Sequence, residues 1–233
     1  MTTSSRVQAQ AAFVLHTRPY LETSAIVELL TLEHGRVAAV AKGMRRPSSR
    51  LKGVLQPFVP LQVDWRGKQE LKTLGSAEPV GVSGLLSGPV LMCGLYVNEL
   101  VQRLLPPLDP HPKLYVYYQY VMNALRGAED IEGALRTFEH QLLKEIGYGF
   151  DLRTVTSSQL YLFEPSENQF RVIVNPAKPL WGRCFHGDDL LAIEQDCYDT
   201  AAQLQAAKRL MRLALDQQLG ERPLQSRLLF KRS

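Results

Sequence analysis

The chain has 233 residues, of which 45% are hydrophobic and 21% are charged, and its formal net charge is +4. This composition supports a hydrophobic core and excludes wholesale disorder. No run approaches the roughly 18 uninterrupted apolar residues of a membrane-spanning helix, and no apolar run follows a charged start, so we expect neither a membrane span nor a secretory signal. The three cysteines form no close pair, which is typical of a reducing cytoplasm: Cys93, Cys184 and Cys197.

The first eighty residues are predicted to form five short strands. Apolar and β-branched runs place them at Gln10–His16, Ala25–Leu32, Val37–Ala41, Phe58–Trp65 and Gln69–Leu74. Polarity alternates with a period of two in the fourth run, as in a half-buried strand. The turn between the second and third runs contains Gly35, which is free to adopt positive φ. Five short strands with little helix predict a small closed barrel such as an OB-fold, although an SH3-like barrel would give almost the same pattern.

Helical periodicity replaces the strand pattern after Pro79. The predicted helices run from Leu91 to before Pro106 and over Lys113–Leu125, Ile131–Ile146, Asp188–Glu194 and Thr200–Leu219. A hairpin is predicted from Leu160–Phe163 and Phe170–Val174. The predicted fold class is therefore α+β. An N-terminal OB-fold barrel for DNA binding occupies residues 1–80, and a mainly α-helical domain occupies 81–233, with a hairpin insertion at about 155–178.

Charge is distributed unevenly along the chain. Residues 1–80 carry a net charge of +5, residues 81–207 carry −6 and residues 208–233 carry +5. Segregated charge of this kind indicates separate surfaces for separate partners.

The stretch between Glu33 and Asp64 contains no acidic residue. Its six cations are Arg36, Lys42, Arg45, Arg46, Arg50 and Lys52. Residues 42–52 have the composition of a flexible loop, with a glycine and two serines that allow close approach to a phosphate backbone. Six phosphate contacts to duplex DNA would make log K fall with log salt at a slope of about −5. A solvated surface loop is the alternative, but such a loop would normally mix both signs of charge, so the pattern favours nucleic acid.

Cations also accompany the apolar stripes of two predicted helices. Arg136 lies beside the stripe of the third helix, where it could capture a partner's carboxylate or simply pair with Glu132 or His140. Three cations share one face of the last helix, which could be a phosphate surface, the basic wall of a peptide groove or a solvated face: Lys208, Arg209 and Arg212.

Other candidate sites are weaker. Tyr115, Tyr117, Tyr118 and Tyr120 could stack bases, but their spacing covers every side of a helix, so we expect at least two of them in the core. Cys184, His186 and Cys197 lack the second close pair of a structural zinc site. The chain contains no phosphate-binding loop, metalloprotease motif, nucleophile elbow or dinucleotide fingerprint, so we predict no metal, no cofactor and no enzymatic activity.

Motifs spread in order over nearly the whole chain resemble those of the bacterial recombination mediator family RecO. They cover Phe13 to Ser24, Thr31 to Val37, Ala41 to Gly43, Leu51 to Phe58, Leu71 to Leu74, Gly94 to Leu100, Ala134 to Glu139, Leu142 to Gly149, Ala206 to Arg209 and Pro223 to Phe230. Some relatives hold a four-cysteine zinc module after the Gly-Tyr motif. The corresponding stretch here, Thr154 to Ser158, has no cysteine, so the chain resembles a metal-free member.

The resemblance implies binding to single- and double-stranded DNA, annealing of complementary strands, and help in loading RecA onto DNA coated by single-stranded DNA-binding protein. It also implies a cytoplasmic, nucleoid-associated location and two partners, RecR and the acidic, Phe-terminated tail of the single-stranded DNA-binding protein. Arg136, Lys208, Arg209 and Arg212 are the residues expected to bind that tail. The expected DNA-binding set adds Arg18 and Arg66 to the six cations above. A non-catalytic RNA-binding factor or a protein-binding scaffold would fit the same barrel.

Overall fold

A computed structural model describes residues 6–81 and 84–229. Its first five strands are β1 (Arg6–Tyr20), β2 (Ser24–Thr31), β3 (Gly35–Ala41), β4 (Pro60–Arg66) and β5 (Lys72–Pro79). They close into a barrel in the order β1-β2-β3-β5-β4, in which only the β3–β5 pair is parallel. This is the five-stranded topology of an OB-fold. The predicted fold class is confirmed. Strand β1 is longer than predicted at both ends, and β5 begins three residues later and ends five residues later than predicted.

The barrel core follows from alternating burial along the strands. On β4, Leu61, Val63 and Trp65 are at most 3% exposed, whereas Gln62 between them is exposed. This is the predicted period of two. Phe58, which began the predicted run, is buried although it is in phase with Gln62; its left-handed backbone (φ +69°) lies before β4 begins.

Strand β1 pairs with β4 through its first half and with β2 through its second half, and it contains two bulges. One lies between Val7 and Gln10 opposite β4, and the other lies between Val14 and His16 opposite β2. A bulge bends a strand and increases its twist, so it lets one strand turn around a barrel. Neither bulge had a signal in the sequence.

The one-turn helix α1 (Leu51–Val54) lies between β3 and β4. Two longer helices, α2 (Gly88–Leu104) and α3 (Pro112–Gly127), follow the barrel, and the short helix α7 (Gln225–Leu229) ends the described chain. Contacts group the described residues up to Arg126 and from Leu224 onwards into one unit, the barrel unit, and Gly127–Pro223 into a second, the helix–sheet unit. The domain boundary near residue 80 stays a prediction.

Helix α7 was not predicted. Its first turn is capped by a distant carboxylate, because Glu99 on α2 accepts hydrogen bonds from the backbone of Gln225 (2.8 Å) and from the backbone and hydroxyl of Ser226 (2.8 and 2.6 Å). Burial would raise the pKa of Glu99, but these hydrogen bonds lower it below its ordinary value. The last motif residue, Phe230, lies outside the described residues.

The helix–sheet unit contains α4 (Ile131–Glu145), β6 (Leu160–Glu164), β7 (Gln169–Val172), a 3₁₀ helix (Lys178–Arg183), β8 (Cys184–His186), α5 (Gly187–Glu194) and α6 (Ala201–Leu219). Strands β6 and β7 pair antiparallel, so the predicted hairpin is confirmed. The three-residue strand β8 pairs with the other side of β6 and was too short to leave a pattern. None of the described helices is long and apolar enough to cross a membrane.

Candidate nucleic-acid interface

The basic segment between β3 and β4 is fixed to the barrel at both ends. It was predicted as a loop, and it consists of successive turns followed by the one-turn helix α1 (Leu51–Val54). Met44 and Leu55 are 8% and 1% exposed and belong to the barrel core. Its basic side chains after β3 are nevertheless exposed: Lys42, Arg45, Arg46, Arg50 and Lys52. The fold therefore presents these cations on an anchored support.

An open cleft of about 380 Å³ lies between this segment and the far end of β1. Three of the predicted DNA-binding residues line it, namely Arg18, Arg45 and Lys52. Its other described lining residues are Thr17, Pro19, Ala25, Met44, Leu55, Gln56 and Pro57, none of which is acidic. The cleft, which we call the basic cleft, thus combines positive charge with a shallow apolar wall.

Arg45 also holds the basic segment against the turn between β1 and β2. Its Nη1 donates to the carbonyl oxygens of Leu21 (3.2 Å) and Glu22 (3.3 Å), and its backbone N–H donates to the carbonyl of Thr23 (2.9 Å). A guanidinium has five N–H donors, so these bonds leave donors for a phosphate. Arg45 therefore combines a positioning role with a possible contact to a ligand.

The remaining cations of the segment stand beside the cleft. Lys42, Arg46 and Arg50 form no ion pair with any described residue. The Arg46 side chain lies 3.6 Å from the place where a Cβ on Gly43 would be, so Gly43 leaves room for it. Together with the cleft, they make an extended positive surface.

Arg36 has different surroundings from the other predicted residues. Its side chain is 18% exposed and its Nη1 lies 3.4 Å from Oε2 of Glu28, which also accepts from Gln102. The cleft that it lines has a volume of about 530 Å³ and contains Arg18 but also Glu28 and Glu70. A phosphate at Arg36 would have to compete with Glu28.

Arg66 belongs to a third cleft, of about 420 Å³, at the opposite end of β1 from Arg18. Arg6 and Asp64 lie in the same cleft, and their side chains approach to 3.8 Å. The Asp64 carboxylate also accepts from the N–H of Ala9, within the β1 bulge (2.8 Å). Of the eight predicted DNA-binding residues, Arg18, Arg45 and Lys52 line the basic cleft, whereas Arg36 and Arg66 line clefts that also contain acidic residues.

In the helix–sheet unit, Arg136 is 9% exposed and its Nη2 lies 2.8 Å from Oε1 of Glu139. The sequence suggested Glu132 or His140 as its partner, and both suggestions were wrong. Both side chains bind residues from distant segments: Lys208 approaches Glu132 to 3.0 Å, and Asp196 approaches His140 to 2.8 Å.

The three predicted cations of α6 have different surroundings. Lys208 reaches α4 through Glu132, which lies one helical turn before Arg136. Arg209 donates to the carbonyl of Cys184 (2.9 Å) and lies 4.6 Å above the ring of Phe185. Arg212 is exposed beside Asp216 on its own helix (3.8 Å).

Two of the four tyrosines of α3 lie in the core, as predicted. Tyr115 is 6% and Tyr118 is 0% exposed, and both rings pack against Phe13 of β1. Burial raises the pKa of Tyr115 to about 12. These two rings are therefore not accessible to a base.

Sequence comparisons identify the family. The profile "Recombination protein O N terminal" matches residues 6–82, and "Recombination protein O C terminal" matches residues 87–159. A DNA repair protein RecO of Methylococcus capsulatus is 43% identical over 98% of this chain and 95% of its own length. Those of Burkholderia pseudomallei and Actinobacillus pleuropneumoniae are 42% and 44% identical, over 97% and 94% of this chain and 84% and 92% of their own lengths.

These matches agree in extent with the architecture. The first profile spans the closed barrel with its basic cleft, and the second begins just before α2. Identities above 40% over nearly the full length of each protein leave no alternative family to consider. The chain belongs to the RecO family of DNA repair proteins.

Proposed function

We propose that this protein is a DNA-binding recombination mediator. It binds single- and double-stranded DNA, anneals complementary strands and helps to load RecA onto DNA coated by single-stranded DNA-binding protein, in the cytoplasm at the nucleoid. The basic cleft is the observation that carries the proposal, because three cations line it and none of its lining residues is acidic. Phosphate contacts of this kind bind DNA without regard to sequence.

The cleft suggests how annealing proceeds without bond-making chemistry. Two DNA strands repel one another through their phosphates, and cations that neutralise phosphates reduce this repulsion. Once two complementary strands are held on the same protein, base pairing supplies the driving force. We therefore propose no catalytic role for any residue.

The double substitution Arg18→Ala/Lys52→Ala tests the cleft. Arg45 is left in place because its bonds to Leu21 and Glu22 would make its loss a structural change as well. Each lost phosphate contact reduces the salt slope on single-stranded DNA by about 0.7, so we expect a slope shallower by about 1.4 and weaker binding at low salt. Fluorescence anisotropy of a labelled oligomer, measured against salt concentration, gives both quantities.

The matched control is Lys68→Ala/Lys113→Ala, which removes the same charge from exposed positions of the barrel unit outside the basic cleft. It should leave the slope nearly unchanged. Equal slopes for the cleft variant and the wild type would remove the cleft from the DNA site. Tighter binding of an RNA oligomer than of its DNA equivalent would instead favour an RNA-binding protein.

We further propose that the helix–sheet unit binds the acidic tail of the single-stranded DNA-binding protein through Arg136, Lys208, Arg209 and Arg212. Lys208 and Arg136 flank Glu132 along the contact of α6 with α4, and Arg209 lies over an aromatic ring. A tail that ends in a carboxylate and an aromatic side chain suits such a combination of charge and apolar surface. RecR is a second proposed partner, on the strength of family membership.

Lys208→Ala/Arg212→Ala is the variant of choice for this second site, because both side chains are exposed. Arg136→Ala would leave the buried carboxylate of Glu139 without its Arg136 partner, and Arg209→Ala would remove the bond to the carbonyl of Cys184. We expect a fluorescent acidic peptide ending in Phe to bind roughly tenfold more weakly to the double variant. Arg153→Ala serves as control, since Arg153 is an 87% exposed arginine of the same unit that also faces an acid. Equal peptide affinity in all three proteins would sink the assignment.

A further inference from the structure

A second acid-free stretch lies inside the acidic middle of the chain. No Asp or Glu occurs from Asn168 to Gly187, whereas three cations do: Arg171, Lys178 and Arg183. In the structure this stretch comprises β7, the 3₁₀ helix and β8. It resembles the barrel's basic segment in its one-signed charge, but it belongs to the helix–sheet unit.

The same stretch exposes a tryptophan. Trp181, on the 3₁₀ helix, is 65% exposed, whereas Trp65 in the barrel core is 3% exposed. The Trp181 Nε1–H donates to the carbonyl of Pro176 at 3.0 Å, so the polar edge of the ring is satisfied by the protein. The part of the ring that faces solvent is therefore apolar. Such exposure is unusual for tryptophan, which is highly buried on average.

One cation lies on the same side of the 3₁₀ helix as this ring, and two more belong to the same stretch. Side chains three residues apart eclipse one another on a 3₁₀ helix, so Lys178 lies on the same side as Trp181. Arg171 and Arg183 both contact Glu164, at 2.7 Å each, and one carboxylate neutralises only one of two guanidiniums. The stretch that carries Trp181 therefore keeps a net positive charge.

An exposed aromatic ring among cations is the combination with which proteins bind single-stranded nucleic acid, because each base has a flat face and each linkage a phosphate. A duplex presents its phosphates but keeps its base faces stacked inside. We propose that Trp181 stacks on a base of single-stranded DNA, that Lys178 contacts a neighbouring phosphate, and that the net positive charge of the stretch attracts the strand. This inference rests on the proposed function, to which it adds a contact for a strand on the helix–sheet unit.

Intrinsic fluorescence tests the proposal directly in the full-length protein, because the chain has two tryptophans and the other is buried. Titration with an oligothymidylate should quench the exposed emission and protect it from acrylamide. Neither change should occur in Trp181→Phe. We expect Trp181→Ala to bind the oligomer roughly tenfold more weakly, and Trp181→Phe, which keeps a ring, to retain most of the affinity.

Three controls separate stacking from simple proximity. Val174→Ala, at an 80% exposed apolar position of the same stretch, should change neither affinity nor quenching. A base-free deoxyribose-phosphate oligomer should not quench Trp181. Circular dichroism of each variant establishes that it folds.

The outcomes distinguish this proposal from the broader one. Binding of single-stranded DNA with unchanged Trp181 emission, or equal quenching by the base-free oligomer, overturns the stacking role and leaves the DNA-binding function intact. Quenching by the acidic Phe-terminated peptide but not by the oligomer also overturns it. No binding of DNA in any assay contradicts both proposals.

Discussion

Replacement of Gly35 by alanine is expected to destabilise the barrel unit by roughly 3–5 kcal/mol. Gly35 has φ +64°, a conformation that costs about 1–2 kcal/mol for a residue with a Cβ. The added Cβ would also lie 2.0 Å from the carbonyl oxygen of Asp109. That oxygen belongs to the backbone of the α2–α3 connection, so the clash cannot be relieved by rotating a side chain.

The surrounding hydrogen bonds keep both backbones in place. The N–H of Leu108 donates to the carbonyl of Arg36 (2.9 Å), and the hydroxyl of Thr31 donates to the carbonyl of Gly35 (2.8 Å). Relief of the clash would break at least one of these contacts. The loss should therefore exceed that of an ordinary positive-φ glycine.

Gly43→Ala is the matched control. Gly43 has a similar φ of +70°, but the nearest atoms to its added Cβ are on the flexible side chain of Arg46, at 3.6 Å. We expect a loss of about 1 kcal/mol there. Urea unfolding in a Trp181→Phe background would use Trp65 as a reporter of the barrel unit alone. Equal losses in the two variants would show that the approach of Asp109 contributes nothing.

Gly35 also shows how far the sequence could lead. Its position in a turn with positive φ followed from its neighbours, because turn chemistry is local. The approach of Asp109, 74 positions later, depends on how the α2–α3 connection packs against the barrel, and no local pattern records it. The approximate positions of the five strands along the chain were predictable, because strand patterns, like turn chemistry, are local. The bulges of β1 were not predictable, because no local pattern marks them.

The candidate binding residues divide in the same way. All three cations of the basic cleft were in the predicted DNA-binding set, but only Arg45 and Lys52 lie in the acid-free stretch, and the position of Arg18 beside them depends on how β1 packs in the barrel. The partner of Arg136 was not predictable, because Glu132, Glu139 and His140 all lie three or four residues away on one helix. Residues from distant segments contact two of them, since Lys208 contacts Glu132 and Asp196 contacts His140. The exposure of Trp181 was not predicted, because a single aromatic residue forms no helical or strand period that would show which way it faces.

The second large effect is expected from Asn98→Leu, which should destabilise the barrel unit by about 3–4 kcal/mol. Asn98 is 2% exposed, and its Nδ2 donates to the carbonyl of Leu15 at 2.9 Å. Leu15 is the extra residue of the second β1 bulge and has no register partner on β2, so Asn98 serves its carbonyl from outside the sheet. The Asn98 Oδ1 accepts from the hydroxyl of Tyr118 at 2.7 Å, which connects α3 to the same site.

A leucine of similar size would fill the space but would offer neither the amide donor nor the amide acceptor of Asn98. The carbonyl of Leu15 would lose its donor and the hydroxyl of Tyr118 this acceptor, each at about 1–3 kcal/mol in a buried site. Tyr118→Phe is the matched comparison, because it removes one of the two bonds and should cost about 1–2 kcal/mol. Urea unfolding followed through Trp65 measures both variants. A Tyr118→Phe loss as large as that of Asn98→Leu would mean that the bond to Leu15 contributes little.

The same substitution connects stability to DNA binding. Arg18 follows Leu15 by three residues on β1, so the bond from Asn98 to the bulge helps to set where β1 delivers Arg18 into the basic cleft. We therefore expect Asn98→Leu to weaken single-stranded DNA binding at temperatures where the variant is still folded. Gly43→Ala should not do so through β1, since Gly43 lies in the segment that follows β3. An unchanged affinity in folded Asn98→Leu would show that the pairing of β1 with β2 positions Arg18 without help from the bulge.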